Sequence, residues 1–255
     1  MAGVLTPPKK LHPKIRLASE MPLYVKALIY GEPGAGKTYL ACTAPNPLVL
    51  MTEYDVSKAT ILRVQKDLGK EIAVWPVSEW KDLEEAFDYL QSSEHDFKTV
   101  VLDSLTDLNR RLTRSVVQHA VERRPSHDPD VPEQGDWFRV GERLRHMVRM
   151  FRDLPMHVVM TCLVQDIRQE MTKVPLVQPK SLALELPGLF NLVGCLKSVE
   201  TGDGYVRKLL TESREGADGY SYVAKNPGGV LPPVVDNPNL TKIIEEVCGN
   251  AKAAT

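Results

Sequence analysis

The stretch GEPGAGKT at residues 31–38 constrains this chain more than any other feature. Its glycines allow the backbone to bend until several N–H groups point at one bound anion. Lys37 adds a charge that can reach the β- and γ-phosphates, and the Thr38 hydroxyl can bind Mg²⁺. A β-prone apolar run at residues 25–30 precedes the motif and a helix-prone run follows it. We therefore assign nucleotide binding to Gly31, Glu32, Pro33, Gly34, Ala35, Gly36, Lys37, Thr38 and Tyr39.

Composition limits the class of protein. A chain of 255 residues with 43% hydrophobic and 25% charged residues can build one large α/β domain. The net charge of −1 gives no overall basic field, so any nucleic-acid contact needs a local patch. No apolar run approaches the roughly 18 residues that span a bilayer, which favours a cytoplasmic protein with no membrane partner. The scattered cysteines indicate reduced thiols and not zinc ligands: Cys42, Cys162, Cys195 and Cys248.

Strand-like and helix-like segments alternate along the chain, which predicts a mostly parallel sheet flanked by helices. Strands are predicted near 25–30, 47–52, 72–77, 98–102 and 157–162, and helices near 37–43, 56–68, 79–92, 105–123, 137–153 and 238–248. After residue 194, short β-prone runs at 193–200, 205–211 and 220–224 predict an antiparallel extension of the same sheet. We expect a basic flexible arm at residues 1–20, one domain at 21–250, and a mobile loop at 124–136.

A second motif lies at the end of the predicted strand 98–102. This apolar run is followed directly by Asp103. A carboxylate in that place can hold a Mg²⁺-bound water beside Thr38. The metal ligands are therefore predicted to be Thr38 and Asp103, with ATP and Mg²⁺ as cofactors.

Candidates for activating water and for sensing the γ-phosphate lie at two further strand ends. Glu53 follows the run 47–52, and the carboxyl end of a neighbouring parallel strand opens onto the phosphate site. It can therefore act as a general base, whereas Ser104 stands where many such ATPases carry a glutamate. Thr161 and Gln165, at and after the strand 157–162, can each act as the sensor. The predicted catalytic residues are Glu53, Lys37, Gln165 and Thr161.

These motifs, in this order, resemble the RecA-like ATPase core. More specifically they resemble the small phage RecA-like ATPases, which are AAA-family phage nucleotide-binding proteins of the Sak type that act in single-strand annealing or recombination. Four short sequence stretches resemble stretches of that family, at residues 44–50, 101–106, 136–137 and 186–191. Glu53 matches the position of the catalytic glutamate in RecA-type enzymes. The resemblance implies an ATPase that binds single-stranded DNA and promotes annealing or recombination. It also implies a homo-oligomer, ring or filament, with a single-strand binding protein as a further partner, in the host cytoplasm if phage-encoded.

The resemblance also implies that the segment after the sensor strand contacts DNA. Here that segment is a loop expected at 164–185, where Arg168, Lys173 and Lys180 alternate with apolar residues, as suits a single strand. Lys225 lies in a stretch where relatives place a lysine and an arginine that reach a neighbouring subunit, although Pro227 stands at the arginine position.

Two other functions stay open. Many arginines lie between residues 110 and 152, and such a region can serve as the lid of a small-molecule P-loop kinase, as a solvated helix face, or as a contact surface for phosphates or an acidic partner. The third class is a nucleotide-gated loader or assembly ATPase that acts on a protein partner.

Overall fold

The computed structural model describes residues 12, 14–92, 94–202 and 204–253, without the side chains of residues 250–253. Most of the predicted basic arm, residues 1–11 and 13, lies outside this part. The first elements are β1 (Lys26–Gly31), α1 (Lys37–Cys42), β2 (Pro47–Met51), α2 (Tyr54–Leu68), β3 (Ala73–Pro76), α3 (Trp80–Ser92), β4 (Thr99–Asp103), α4 (Leu105–Arg123), α5 (Gln134–Arg152) and β5 (His157–Ile167). Every strand and helix predicted in this region is present, within a few residues of its expected ends.

The second part of the chain contains shorter elements. They are β6 (Thr172–Pro175), α6 (Lys180–Glu185), β7 (Leu192–Thr201), β8 (Gly204–Leu210), β9 (Arg214–Glu215), β10 (Ser221–Tyr222), β11 (Val234–Asp236) and α7 (Leu240–Ala253). Short 3-10 helices lie at Ala18–Glu20, Arg168–Glu170, Leu186–Leu189 and Pro227–Gly229. Among the helices in the described ranges, none has both the length and the apolar character needed to cross a bilayer.

The strands form a mixed sheet in the order β11-β8-β7-β1-β5-β4-β2-β3. From β7 to β3 all neighbours are parallel, whereas β8 and β11 pair antiparallel at one edge. The strands β2 and β4 are buried along their whole length, as expected of strands covered on both faces. The predicted fold class, an α/β fold with a mostly parallel sheet and an antiparallel extension, is confirmed.

Helices bury both faces of this sheet. One core contains side chains of α3, α4 and α5, including Leu83, Leu108, Leu144 and Phe151. The other contains side chains of α1, α2 and α7, including Leu40, Ile61, Val64 and Ile243. Because helices cover both faces, the part of the sheet that remains open for chemistry is the end at which the parallel strands terminate.

The structure corrects the prediction of a loop at residues 164–185. Strand β5 continues to Ile167 and forms an antiparallel hairpin with β6, and α6 follows. The run 220–224 does not extend the main row of strands as predicted, because β10 pairs parallel with β6 and antiparallel with β9. These short strands form a small group that pairs with the β5–β6 hairpin, beside the end of β1.

The segment 124–136 is also more tightly held than a mobile loop. His127 is 3% exposed and its two ring nitrogens face oxygen acceptors, the Asp128 carbonyl at 2.8 Å and the Asp136 carboxylate at 2.7 Å. A ring with an acceptor at each nitrogen carries both protons, so His127 forms a buried ion pair with Asp136. Asp136 also accepts from the Glu133 N–H at 2.9 Å. This pair ties the segment to the first turn of α5.

The His127–Asp136 pair predicts pH-dependent stability. Hydrogen bonding to the Asp128 carbonyl and to Asp136 raises the pKa of His127 above its ordinary 6.5. Burial acts to raise the pKa of Asp136, yet its hydrogen bonds with the Glu133 N–H and with His127 hold it below 3.8. The histidine contribution is therefore complete below pH 6.5 and lost as pH rises through the raised pKa. The aspartate contribution is complete above pH 3.8 and lost on acidification.

We expect His127→Ala to lower the thermal unfolding midpoint by several degrees, because the substitution removes the buried cation of Asp136 and leaves only the exposed Arg139 as its charged partner. The difference from wild type should be largest between pH 4 and 6.5 and smaller at pH 9. Thermal unfolding followed by circular dichroism across this range tests the prediction, with the exposed His119→Ala as control. A difference that does not vary with pH would contradict the charged pair.

Candidate nucleotide-binding site

The phosphate loop begins where β1 ends, between β5 and β7. A side chain at Gly31 would bring its Cβ to 2.2 Å from the Leu196 carbonyl oxygen, so only glycine lets β7 lie this close. Gly36 has a φ of +95°, in the left-handed region that favours glycine, and it leads directly into α1. The loop is thus fixed by backbone contacts on one side and by a glycine-dependent turn on the other.

Lys37 lies over this loop. Its ammonium group donates to the carbonyls of Gly31 at 3.0 Å and Glu32 at 2.8 Å. Burial lowers the pKa of Lys37, and the nearby Asp103 carboxylate opposes that shift. A half-buried ammonium of this kind gains most from an anion that enters the loop, because few water molecules compete for the charge. The position is the one expected of a phosphate-binding lysine.

Asp103, at the end of β4, is the centre of a cluster of hydroxyl groups. Thr38 donates to its Oδ2 at 2.8 Å, Thr161 on β5 donates to its Oδ1 at 2.5 Å, and Ser57 on α2 donates to Oδ2 at 3.4 Å. Hard oxygen donors suit Mg²⁺, which commonly takes one or two protein oxygens and completes its shell with water and phosphate. The pair Thr38 and Asp103, beside Lys37, therefore fits Mg²⁺ bound together with nucleotide phosphates.

Glu53 lies at the next strand end. Strand β2 pairs with β4 so that Met51 is opposite Asp103, and Glu53 follows two residues later at the start of α2. Glu53 lines a cavity of about 380 Å³ together with Asp107 and Arg111. Burial, and then the charges of Asp107 and Asp103, raise the pKa of Glu53. A carboxylate with a raised pKa near a metal site can accept a proton from water.

Arg111 forms part of the wall of the cavity beside Glu53. It donates to Asp107 at 2.6 Å, to the Ser78 carbonyl at 3.1 Å and to the Thr52 carbonyl. These bonds fix the turn between β2 and α2, and with it the backbone of Glu53. The helix register of α4 explains the contact, since Asp107 and Arg111 are four residues apart and share one face.

Arg207 lies at the phosphate loop although it is not among the site residues predicted from the sequence. This residue of β8 places its guanidinium 4.6 Å from the centre of the Tyr39 ring, and a Cβ at Gly36 would come within 2.5 Å of its Nε. Together with Arg63 of α2 it lines a cavity of about 290 Å³ whose wall also includes Gly34 and the loop and helix residues from Gly36 to Tyr39. Strand β8 reaches the loop only because the chain turns back after β7 and pairs antiparallel with it, so no local pattern in the sequence identifies Arg207.

We expect Arg207→Ala to weaken ATP binding at least tenfold, since one hydrogen bond to a charged group contributes roughly 1.5–3 kcal/mol. Isothermal titration calorimetry with ATP in Mg²⁺ buffer measures this change. Lys208→Ala is the matched control, because the neighbouring Lys208 pairs with Asp236 at 3.3 Å and does not line the cavity. Unchanged affinity in Arg207→Ala would remove Arg207 from the nucleotide site.

The two candidate sensors are placed differently. Thr161 contacts Asp103 directly, whereas the Gln165 amide donates to the carbonyls of Pro175 at 3.0 Å and Val177 at 3.3 Å. The Gln165 side chain therefore fastens the hairpin to the segment before α6. Of the two, Thr161 is the one that the structure brings to the predicted metal ligands.

The predicted DNA-binding lysines are engaged in ion pairs. Lys173 on β6 lies 3.1 Å from Asp218 and 3.7 Å from Asp166, and its side chain is only 15% exposed. Lys180, at the start of α6, lies 3.2 Å from Glu170. Arg168 is exposed at the tip of the hairpin. Two of the three predicted cations thus have their charge compensated within the chain.

Lys225 lies at the other end of the sheet from the phosphate loop. Its backbone bridges Val193, near the start of β7, and its ammonium donates to the Phe190 carbonyl at 2.8 Å. Strand β7 runs parallel to β1, which places Phe190 near the first residues of β1, whereas the loop follows its last residue. Lys225 is therefore remote from the nucleotide site of its own chain.

Two solved structures are similar to this chain at low identity. The KaiC-like protein PH0186 from Pyrococcus horikoshii OT3 is 14% identical with a TM-score of 0.38, over 78% of this chain and 89% of that chain. The flagellar accessory protein FlaH from Methanocaldococcus jannaschii is 11% identical with a TM-score of 0.42, over 85% of each chain.

No curated protein matches the chain by sequence. A family model does match it, over residues 23–226, and its description is "AAA domain". The matched region runs from the residues before β1 past β10, and so contains the phosphate loop, Glu53, Asp103 and Thr161. The prediction of a P-loop nucleotide-binding, ATPase-like domain is confirmed at this level: the chain belongs to the AAA domain family.

Proposed function

We propose that this protein is a Mg²⁺-dependent ATPase. The observation that carries the proposal is the hydrogen-bonded group of Thr38, Asp103 and Thr161 beside Lys37, with Glu53 at the next strand end. A phosphate-binding loop alone serves many proteins that bind nucleotides without cleaving them. The additional carboxylate with a raised pKa supplies what hydrolysis needs.

Each residue has a defined part in this proposal. Lys37 and the loop N–H groups hold the β- and γ-phosphates, and Thr38 and Asp103 hold Mg²⁺. When bound, Mg²⁺ neutralises charge on the phosphate oxygens. Glu53 orients the attacking water and takes up its proton on a carboxylate oxygen. Thr161, which is hydrogen-bonded to Asp103, acts as the sensor that couples the state of the phosphates to the position of β5 and its hairpin.

We further propose that the ATPase works on single-stranded DNA, in annealing or recombination. The support is the resemblance of the motifs and their order to the phage RecA-like ATPases. Assembly into a ring or filament in the cytoplasm, with Lys225 facing a neighbouring subunit and a single-strand binding protein as partner, belongs to the same proposal. Arg168, Lys173 and Lys180 on the β5–β6 hairpin and α6 are its DNA-binding residues.

A loader or assembly ATPase that acts on a protein is the second candidate. The ion pairs of Lys173 and Lys180 favour it, because they reduce the positive charge that the hairpin can offer to a phosphate backbone. Under this alternative, the hairpin would change position with the nucleotide state and contact a protein.

The rate of ATP hydrolysis with and without a single-stranded oligonucleotide separates the two candidates, with Lys37→Ala as the blank. The recombination proposal predicts stimulation by single strands and a smaller response to duplex. It also predicts that Lys173→Ala/Lys180→Ala weakens DNA binding and flattens its salt dependence. A rate of ATP hydrolysis that is the same with and without single-stranded DNA at every salt concentration would overturn the DNA proposal. The loader candidate would then remain.

A further inference from the structure

A basic cavity lies at the far end of the α4–α5 helix pair. It encloses about 330 Å³, close to the lower limit of small-molecule pockets at roughly 300 Å³. Its lining includes the charged residues Arg123, Arg124, Arg139, Arg143, Glu133 and Asp136, together with His119 and His127. Four arginines and one imidazolium therefore face two carboxylates. The function proposed above makes no use of this cavity.

Both carboxylates are already engaged. Glu133 pairs with Arg124 at 2.6 Å, and Asp136 pairs with His127 at 2.7 Å and Arg139 at 3.2 Å. Arg123 and Arg143, one on each helix, have no carboxylate within ion-pair distance among the described residues. Two guanidinium groups that line one small cavity repel each other unless an anion lies between them. The cavity thus has a surplus of positive charge at a defined place.

The site is preorganised. Arg123 lies in the last turn of α4 and Arg143 in the middle of α5, while the buried His127–Asp136 pair fixes the connecting segment. Because the backbone of all three walls is fixed, the conformational entropy lost when an anion binds is limited to the exposed arginine side chains. A mobile loop at this place, as first predicted, could not provide that advantage.

The cavity is separate from the nucleotide site. Helix α4 begins next to Asp103, at Leu105, and at 1.5 Å per residue it extends about 27 Å to Arg123. A nucleotide held by the phosphate loop therefore cannot place its phosphates among these arginines. The anion that the cavity accepts is a second ligand.

We propose that this cavity binds a phosphate group outside the nucleotide site. Guanidinium groups approach from α4, from α5 and from the segment between them, which suits a tetrahedral dianion that accepts hydrogen bonds in several directions. A flat carboxylate would satisfy one guanidinium fork and leave the second of the two unpaired arginines, Arg123 or Arg143, without a partner. The phosphate belongs either to a small phosphate ester or to the backbone of a nucleic-acid strand.

Orthophosphate titration by calorimetry tests the site, in the Lys37→Ala background so that the phosphate loop contributes little. We expect Arg123→Ala/Arg143→Ala to weaken phosphate binding at least tenfold. The charge-matched control Arg149→Ala/Arg214→Ala replaces two exposed arginines outside the cavity and should retain binding. Equal phosphate affinity in the two double variants, or no phosphate binding by the parent, would overturn the proposal.

A second measurement, the thermal unfolding midpoint, distinguishes loss of the phosphate site from a folding defect. Phosphate should raise the thermal unfolding midpoint of the parent and of the control, but not of Arg123→Ala/Arg143→Ala, whose midpoint without phosphate should match the parent. A midpoint that rises equally in all three proteins would also overturn the site.

The source of the phosphate follows from two further titrations, with a nucleoside monophosphate and with a single-stranded oligonucleotide. If the source is a strand, the cavity substitutions weaken oligonucleotide binding and lower its salt dependence by about one phosphate contact per arginine. If the source is a small ester, they weaken monophosphate binding and leave the strand unaffected. Because the test uses Lys37→Ala, its result does not depend on whether the protein hydrolyses ATP.

Discussion

Lys37→Ala is expected to weaken ATP binding by about ten- to a hundredfold. The ammonium is half-buried over the phosphate loop, where it donates to the Gly31 and Glu32 carbonyls. A charge-assisted hydrogen bond contributes roughly 1.5–3 kcal/mol, and each 1.4 kcal/mol is a factor of ten in affinity. The loop N–H groups that remain cannot replace a positive charge. Calorimetric titration with ATP in Mg²⁺ buffer measures the loss.

The substitution should leave the fold intact, which makes the binding result easy to interpret. Burial lowers the pKa of Lys37, so its charge is held at some cost in the folded chain. The unfolding midpoint of Lys37→Ala should therefore stay near that of the wild type. Lys242→Ala, an exposed lysine on α7, is the control for a lost positive charge. Wild-type ATP affinity in Lys37→Ala would show that the nucleotide lies elsewhere.

Glu53→Gln is expected to reduce the rate of ATP hydrolysis by about 10²–10⁴-fold, the range in which general-base catalysis contributes. ATP affinity should change little, because glutamine keeps the size of the side chain and the phosphates are held by other residues. Single-turnover hydrolysis and equilibrium binding, measured on the same preparation, separate the two effects. Glu84→Gln, an exposed glutamate of α3, serves as the control.

The pH profile gives a second check on Glu53. Burial and the charges of Asp107 and Asp103 raise its pKa, so the carboxylate is protonated at a higher pH than an ordinary glutamate. Hydrolysis by the wild type should fall as pH decreases through that raised pKa, and the residual rate of Glu53→Gln should not show this step. If Glu53→Gln hydrolyses ATP as fast as the wild type, the base is another group, with Asp107 in the same cavity as the next candidate.

The parts of the fold that could be predicted are those with strong local patterns. Apolar runs of β-prone residues gave β1, β2, β4 and β5, and the phosphate-loop motif identified which strand end carries the site. Asp103 and Thr161 could be selected because each lies at the end of such a run. In the structure the Thr161 hydroxyl donates a hydrogen bond of 2.5 Å to the Asp103 carboxylate on the neighbouring strand.

The parts that could not be predicted depend on contacts between distant segments. Arg207 reaches the loop because β8 folds back along β7, and the sequence contains no sign of that sheet order. Strand β6 is short and ends in Pro175, so its pattern is too brief to distinguish it from a loop. His127 and Asp136 lie in a polar, proline-rich stretch that indicates mobility, and only their mutual contact makes it rigid.

The dependence of ATP affinity on Mg²⁺ tests the central claim most directly, namely that Lys37, Thr38 and Asp103 form one site for Mg²⁺ and nucleotide. Calorimetric titrations of the wild type with ATP would be made in Mg²⁺ and in a metal chelator, and both repeated with Asp103→Asn. We predict that Mg²⁺ strengthens ATP binding by the wild type at least tenfold and that this gain disappears in Asp103→Asn. Equal affinity with and without Mg²⁺ in the wild type, or an undiminished gain in Asp103→Asn, would contradict the account.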